Sequence, residues 1–174
     1  MKLLMPTIEY ADEIKAYREE LIKYGSTFDG TGALKRLEKP AEWVAYNKLF
    51  LAKETVPNGL VQATQFIYIR ENDDKIVGMI QIRHYFNDFL EKYGGHIGYS
   101  VRPTERRKGY AKEMLGDALT FCKELGMSKV LVTCLSDNEG SRKTILANGG
   151  IYESTVKLPD GDEYLERYWI DIND

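Results

Sequence analysis

The sequence predicts a mixed α/β fold of the α+β kind, a single sheet with helices on both faces. Three observations predict it. Extended and helical segments alternate along the whole chain in the order strand, helix, helix, three strands, helix, strand, helix, two strands, an order that fits one mixed sheet. The 174 residues, 43% hydrophobic, supply one well-buried core and not two. No internal repeat or low-complexity linker divides the chain, so residues 1–174 read as a single domain.

Lys2 to Met5 reads as a short strand, punctuated by Pro6-Thr7. Ile8, Ala11, Ile14, Tyr17, Leu21 and Ile22 then fall on one helical face. The segment Gly25 to Gly32, GSTFDGTG, reads as a flexible connection, since a phosphate loop would follow a strand and this one follows a helix. Helical spacing returns from Pro40 to Lys53, with Pro40 suited to the first helical position. Gln65 to Arg70 and Ile76 to Phe86 form a hairpin about the turn Asn72-Asp73-Asp74. Asn87 to Tyr93 is a helical or looped excursion before a strand over Gly95 to Val101. Ala111 to Leu125 is amphipathic, with Gly126 placed as a C-terminal cap. Val130 to Leu135 is a continuous apolar run, the mark of a strand covered on both faces. Asp137 or Asn138 caps a last helix that ends at Gly149-Gly150, and Ile151 to Val156 pairs with Tyr164 to Ile172.

The charge balance limits the partners. With 24 basic and 27 acidic residues the net charge is −3, and the basic residues cluster only between Arg102 and Lys108. A broad nucleic-acid surface is therefore not expected, and any anion bound is small and local. Two cysteines, Cys122 and Cys134, make neither a disulfide framework nor a metal spacing. No segment has the roughly 18 consecutive apolar residues of a membrane span, and the first residues turn acidic before a signal segment could form. The expectation is a cytoplasmic protein with no membrane or nucleic-acid partner.

The informative stretch runs from Gly94 to Ala111, GGHIGYSVRPTERRKGYA. A strand, a basic loop, a glycine and a helix follow one another, the order needed for backbone N–H groups at a helix start to wrap a phosphate. In Arg106-Arg107-Lys108-Gly109-Tyr110-Ala111, glycine and alanine leave room for the oxygens while the cations add charge. A diphosphate cradle is one reading and an exposed basic turn is the other.

Here the chain resembles the GCN5-related N-acetyltransferases, the GNAT family, and within it a bacterial branch of predicted acetyltransferases. Arg106, Gly109 and Ala111 match the family's Q/R-x-x-G-x-G/A signature, and Asn138 with Ser141 matches a second family element after the fifth strand. The resemblance covers nearly the whole chain. It implies a mostly antiparallel seven-stranded sheet, splayed between strands four and five and flanked by about four helices. It also implies acetyl-CoA as the acyl donor, an amine-bearing small molecule or peptide as acceptor, and no metal. Tyr99, Ser100 and Val101 would pair with the pantetheine arm, with the Val101 N–H on the developing oxyanion. Arg106, Arg107, Lys108, Gly109, Tyr110 and Ala111 would hold the diphosphate, and Ser141 would lie near the thiol. Asn138 would reach the pantetheine arm or simply cap its helix.

Departures from the family pattern concern the chemistry. Many members carry a tyrosine seven residues after the asparagine, where this chain has Ile145, and a glutamate early in the fourth strand, where it has Gly94-Gly95-His96. Tyr152 and Tyr168 are the candidate acids. His96 is the candidate base, since an imidazole of pKa about 6.5 suits proton removal at neutral pH; the other reading is a histidine bonded to a neighbouring strand. The acceptor site would be built by the first two helices and their loop, the Arg83 to Tyr93 excursion and the last hairpin, whose acidic and aromatic residues, among them Glu13, Glu20, Asp29 and Phe28, would favour a cationic amine. Both cysteines read as buried thiols, so the acetyl group would pass directly to the amine in a ternary complex. The alternative is an acyl-CoA-binding regulatory module with weak turnover or none. A homodimer through the exposed terminal strand suits the fold.

Overall fold

The computed structural model describes residues 1–173. Seven strands form one sheet: β1 (Lys2–Leu4), β2 (Ala63–Arg70), β3 (Lys75–Arg83), β4 (Ile97–Val101), β5 (Lys129–Leu135), β6 (Ile151–Lys157) and β7 (Tyr164–Asp171). Their spatial order is β1-β2-β3-β4-β5-β7-β6. Four α-helices complete the fold: α1 (Ala11–Lys23), α2 (Pro40–Lys48), α3 (Tyr110–Glu124) and α4 (Glu139–Ala147). Short 3-10 turns at Ile8–Tyr10, Leu49–Leu51 and Pro103–Glu105, and a π turn at Leu90–Gly94, join them.

Every pair of neighbouring strands is antiparallel except β4 and β5, which run parallel and share one register pair, Ile97 with Val132. Beyond it they diverge, so the sheet is splayed there. The expected architecture is borne out, with differences at element ends. β3 stops at Arg83, short of Phe86, because its partner β2 runs out at Ala63 opposite Arg83. β4 begins at Ile97 because Gly95, at φ +63, kinks the chain against the Leu131 carbonyl. The α2 helix tightens to a 3-10 turn after Lys48 and ends at Ala52, whose backbone is extended.

Two apolar layers cover the sheet. On one face α1 and α2 place Ile14, Tyr17, Leu21, Trp43 and Val44 against Ile67, Ile69 and Met79. On the other, Met114, Leu115, Ala118 and Cys122 of α3 and Ile145 of α4 meet Phe66, Tyr68, Ile80, Val132 and Tyr168. Each large side chain fully removed from water contributes about 1.5–3 kcal/mol. Because both faces are covered, β2 is buried at seven successive positions, Ala63 to Ile69, instead of alternating.

Arg102 pins α1 to the end of β4. Its guanidinium, buried, meets Glu13 and Glu20 at 2.7 Å each and the Ile76 carbonyl at 3.1 Å. A buried cation is tolerated when it is paired and hydrogen-bonded in this way. Beside it, Tyr17 donates to the Ser100 carbonyl at 3.0 Å. The end of β4, from which the basic loop departs, is thus fixed from the α1 side. At the far edge of the sheet β6 pairs only with β7, and Ile151 and Tyr152 are exposed.

Candidate active site

The splay makes a cleft of about 1300 Å³ between β4 and β5, lined by Gly98 to Val101, the loop from Glu105 to Lys112, the start of α4 and the segment Tyr24 to Gly30. Hydrogen-bond alternation decides which β4 groups face it. Arg102 N donates to Val77 O and Arg83 N to His96 O, both at 2.8 Å, so Gly98 and Ser100 share the bonding positions toward β3. The N–H and C=O groups of Tyr99 and Val101 therefore point toward the opening. Ser100 does not share that direction: its backbone belongs to the β3 ladder and its hydroxyl lies 3.0 Å from the Tyr17 hydroxyl. Ser100 thus lines the cleft with its backbone bonded to β3, and Tyr99 and Val101 are the β4 residues whose backbone groups are open to it.

At the α3 start, Arg107 and Gly109 both have positive φ, +63 and +88. Successive turns of that kind gather N–H groups into a concave anion nest. Among the described residues, no hydrogen bond engages the N–H groups from Arg107 to Ala111, while Lys112 N and Glu113 N already bond Gly109 O. A methyl group added to Gly109 would meet nothing within 4 Å; glycine is required by the backbone angle and not by crowding.

The basic side chains are less free than their number implies. Glu105, buried, is ringed by Arg70, Lys75 and Lys108, each at 2.8 Å. Burial alone would raise its carboxyl, but Lys108, Lys75 and Arg70 outweigh burial and hold it at about 2. The Lys108 ammonium is committed to Glu105, leaving that residue its backbone N–H for a ligand. Arg106 folds back over β4, bonding Val101 O at 3.2 Å and the Ser26 hydroxyl at 3.0 Å. The Tyr110 hydroxyl lies 3.2 Å from Arg70.

Across the cleft, Asn138 caps α4 by accepting from Ser141 N at 3.0 Å through its side-chain oxygen. Its amide NH₂ has no bond among the described residues. Tyr99 spans the opening: its hydroxyl is 2.7 Å from the Ser141 hydroxyl, and burial pushes its pKa up to about 12. Ile145, where a family tyrosine would stand, is fully buried.

The candidate base and acids lie elsewhere. His96 Nδ1 accepts from Leu131 N at 2.9 Å, and its ring stacks on Phe86 with centroids 4.0 Å apart. Burial, then the nearby Arg83 charge, hold its pKa down at about 4. A neutral imidazole has one acceptor nitrogen, and here a strand amide occupies it. His96 is structural, bonded to a neighbouring strand. Tyr168 is buried and donates to Glu166 at 2.7 Å, and Glu166 also pairs with Arg142 at 2.7 Å; burial, then Glu166, push its hydroxyl up to about 12. Tyr152 is exposed on the edge strand, bonded to Thr155 at 2.8 Å. None of these three lines the cleft, which corrects all three expectations.

Two further groups sit on the opposite wall: Asp29, expected near the acceptor, and Arg83, not singled out as a site residue. Gly30, at φ +68, passes so close to β4 that an added methyl would lie 2.2 Å from Gly98 O. The glycine-rich segment is thus packed against β4 and is no loose connection. It carries Asp29 to the cleft, held by the Thr27 hydroxyl at 2.5 Å. Arg83 reaches the same wall from the end of β3. The available signal was the pairing of glycines at Gly30 and Gly98, which marks a close backbone crossing. Of the acidic residues expected around the acceptor, Glu13 and Glu20 are spent on Arg102, and Asp29 is the one lining the cleft.

Burial raises both thiols, Cys122 to about 12 and Cys134 to about 11. Among the described residues no cluster of His, Cys, Asp or Glu could hold a metal, and no helix is long and apolar enough to cross a membrane.

Solved structures share this architecture. The ribosomal-protein-S5-alanine acetyltransferase of Vibrio fischeri superposes with a TM-score of 0.73 at 19% identity, covering 99% of this chain and 92% of that one. An N-acetyltransferase from Staphylococcus aureus Mu50 gives 0.67 at 16% identity, with 98% and 97% covered. A microcin C7 self-immunity acetyltransferase, solved with acetyl-CoA and AMP, gives 0.69 at 18% identity, with 98% and 91% covered. At such identities the likeness is one of fold. Comparison with curated protein sequences finds no match. The family model described as "Acetyltransferase (GNAT) family" matches residues 30–149, more than half of the sequence, and the chain therefore belongs to the GNAT acetyltransferase family.

Proposed function

We propose that the chain is an acetyl-CoA-dependent N-acetyltransferase that moves the acetyl group to a primary amine by direct attack in a ternary complex. One observation carries this reading: unbonded N–H groups line the cleft along its length, at Tyr99 and Val101 on β4 and from Arg107 to Ala111 at the α3 start. They form a track of donors leading from an anion nest to the sheet, which suits a molecule with a diphosphate at one end and amides along its arm. Acetyl-CoA would bring to this track an activated acetyl thioester.

The residues divide the work. The amides from Arg107 to Ala111 hold the diphosphate, aided by the exposed Arg107 side chain. Tyr99 and Val101 extend β4 toward the arm, and the Val101 N–H is placed to stabilise charge on the carbonyl oxygen. The Asn138 amide donates to the arm while its oxygen keeps the helix capped. The Tyr99 hydroxyl, protonated at neutral pH, donates a hydrogen bond to the departing sulfur, with Ser141 sharing it. It steadies the thiolate more than it protonates it, since proton transfer from so weak an acid to a thiolate of pKa near 8.5 is uphill. Asp29 attracts the amine, which gives up one proton to water before it attacks, and the Asp29 carboxylate receives the second as the C–N bond forms, while the departing CoA thiolate is protonated by water. Buried, undissociated thiols favour direct transfer over an acyl-cysteine step.

The second reading, an acyl-CoA-binding regulatory module, is favoured by the burial of Ile145 at the usual acid position. A cytoplasmic setting and a homodimer through the β6 edge are part of the proposal. Acetyl-CoA at about 100 times its Kd should stabilise the protein by about 2.7 kcal/mol in thermal denaturation, and amine-dependent release of free thiol should follow. No stabilisation would end both readings. Stabilisation without thiol release across a broad amine panel would favour the module.

A further inference from the structure

Arg83 brings a charged side chain to the cleft from the end of β3. Its guanidinium is half-buried in the wall between the start of β4 and the Asp29 segment, close enough that a methyl on Gly98 would stand 3.2 Å from one of its nitrogens. Its single hydrogen bond goes to the Gly94 carbonyl at 3.3 Å, near the limit of a useful bond. Among the described residues no carboxylate lies within ion-pair distance of it, whereas buried Arg102 has two. A half-buried guanidinium with one neutral acceptor among the described residues keeps most of its N–H donors free for a ligand. Burial lowers its pKa to about 10, opposed by Asp29, so it still carries its charge at neutral pH.

The diphosphate nest is not the partner. Arg83 stands one residue beyond the Ile82–Ile97 pair, at the start of β4, whereas the nest follows Val101 at its end. Four residues of strand separate them, about 13 Å. Arg83 instead shares its wall with Asp29, so a cationic and an anionic group face the cleft together. Next to them a second cavity of about 260 Å³, sharing Gly32 and Gln81 with the cleft, is lined by Tyr46, Asn47, Phe50 and Leu60 and by no charged side chain.

Resting on the acetyltransferase reading above, we infer that the acceptor is a small zwitterion of the amino-acid class: its amine faces Asp29, its anionic oxygens pair with Arg83, and its uncharged remainder enters the cavity beside Gln81. The forked donors of arginine suit two oxygens of one carboxylate or phosphonate. A polyamine has no group for this site and places a second cation against it. This keeps the expected cationic amine and adds an anionic group to the acceptor.

The test is a thiol-release panel run with acetyl-CoA on matched acceptors: L-amino acids, their carboxamides, aminoalkylphosphonates, polyamines and amino-terminal peptides. The expected result is that uncharged-side-chain acids react with a kcat/KM at least about tenfold above their carboxamides, the value of a charge-assisted bond. Carboxylate and phosphonate arms show which oxyanion is taken. In Arg83→Met the ratio should fall toward one through KM, with acetyl-CoA affinity by calorimetry unchanged, and Arg83→Lys should restore part of it. Arg83→Met should also melt no lower than the wild type, since it removes an unpaired buried charge. Equal turnover of acids and carboxamides, preference for polyamines or peptides, silence toward every acid while acetyl-CoA binds, or an unchanged ratio in Arg83→Met would each overturn the inference. Failure of acetyl-CoA to bind the wild type would instead remove the acetyltransferase reading on which it rests.

Discussion

Gly30 and Gly109 flank the same strand in loops on either side of the cleft, and both hold positive φ, +68 and +88. A methyl on Gly30 would press within 2.2 Å of Gly98 O and 2.4 Å of Tyr99 Cα, whereas one on Gly109 would touch nothing within 4 Å. The first loop is locked to the sheet by contact. The second is shaped by backbone angle alone and keeps its N–H groups open. In the function proposed here, the first wall places Asp29 and the second receives an anion. The same residue type marks both, so glycine content alone does not distinguish a packed crossing from a binding nest.

The sharpest way to break this comparison is Gly30→Ala. Backbone strain and overpacking each cost about 1–3 kcal/mol, so the variant should lose about 3 kcal/mol and melt roughly 6–12 °C lower in calorimetry. Thiol release should fall with it, because Asp29 moves with the loop. An unshifted melting temperature would mean that the crossing is not locked.

Tyr99→Phe comes next. It leaves the backbone donors in place and removes the hydroxyl, so kcat should drop roughly 100-fold, as for loss of one positioned hydrogen-bond donor to developing charge. Acetyl-CoA affinity should stay within about twofold, less than one ordinary hydrogen bond is worth. Ser141→Ala, which withdraws one bond from that hydroxyl, should cost roughly fivefold. Equal activity in Tyr99→Phe would remove the hydroxyl from the chemistry.

Gly109→Ala should cost about 1–2 kcal/mol for the left-handed backbone and weaken acetyl-CoA roughly tenfold by closing the nest. Gly109→Asn should be milder, since asparagine tolerates that region. If Gly109→Ala harmed stability as much as Gly30→Ala, the distinction between angle and contact would fail.

The smallest effect concerns pH. His96 titrates near 4 in the folded chain against an ordinary 6.5. Between those values the unfolded chain binds the proton and the folded one does not. The stability tied to neutral His96 is thus full above pH 6.5 and is lost as pH falls toward 4. His84, also lowered by burial, acts in the same direction. His96→Asn should flatten part of this acid loss in denaturant titrations while leaving the shape of the rate against pH unchanged between pH 6 and 9. A rate profile that lost its acidic limb would return His96 to the chemistry.

Those contrasts also explain what the sequence made legible. The loop proposed to hold the diphosphate is local: six consecutive residues, Arg106 to Ala111, form it between a strand and a helix. The element order and the splayed sheet follow from periodicity and from the family resemblance in the same way. The acceptor wall is not local. Asp29, Arg83 and Tyr99 meet through a crossing of remote segments that no spacing rule reveals, and the close approach of Gly30 to Gly98 reads in one dimension as a flexible linker. His96 misled for the same reason, since its ring is taken by a strand amide 35 residues away. Likewise the basic run looked freer than it is, because Arg102 and Lys108 meet Glu13, Glu20 and Glu105 only once the chain has folded.

The most direct test of the account is a crystal structure with acetyl-CoA bound. The account predicts the arm paired with the backbone of Tyr99 and Val101, the diphosphate on the amides from Arg107 to Ala111, and the sulfur within about 3.5 Å of the Tyr99 hydroxyl. An arm lying outside the β4–β5 opening, or a Tyr99 hydroxyl turned away from the sulfur, would contradict it.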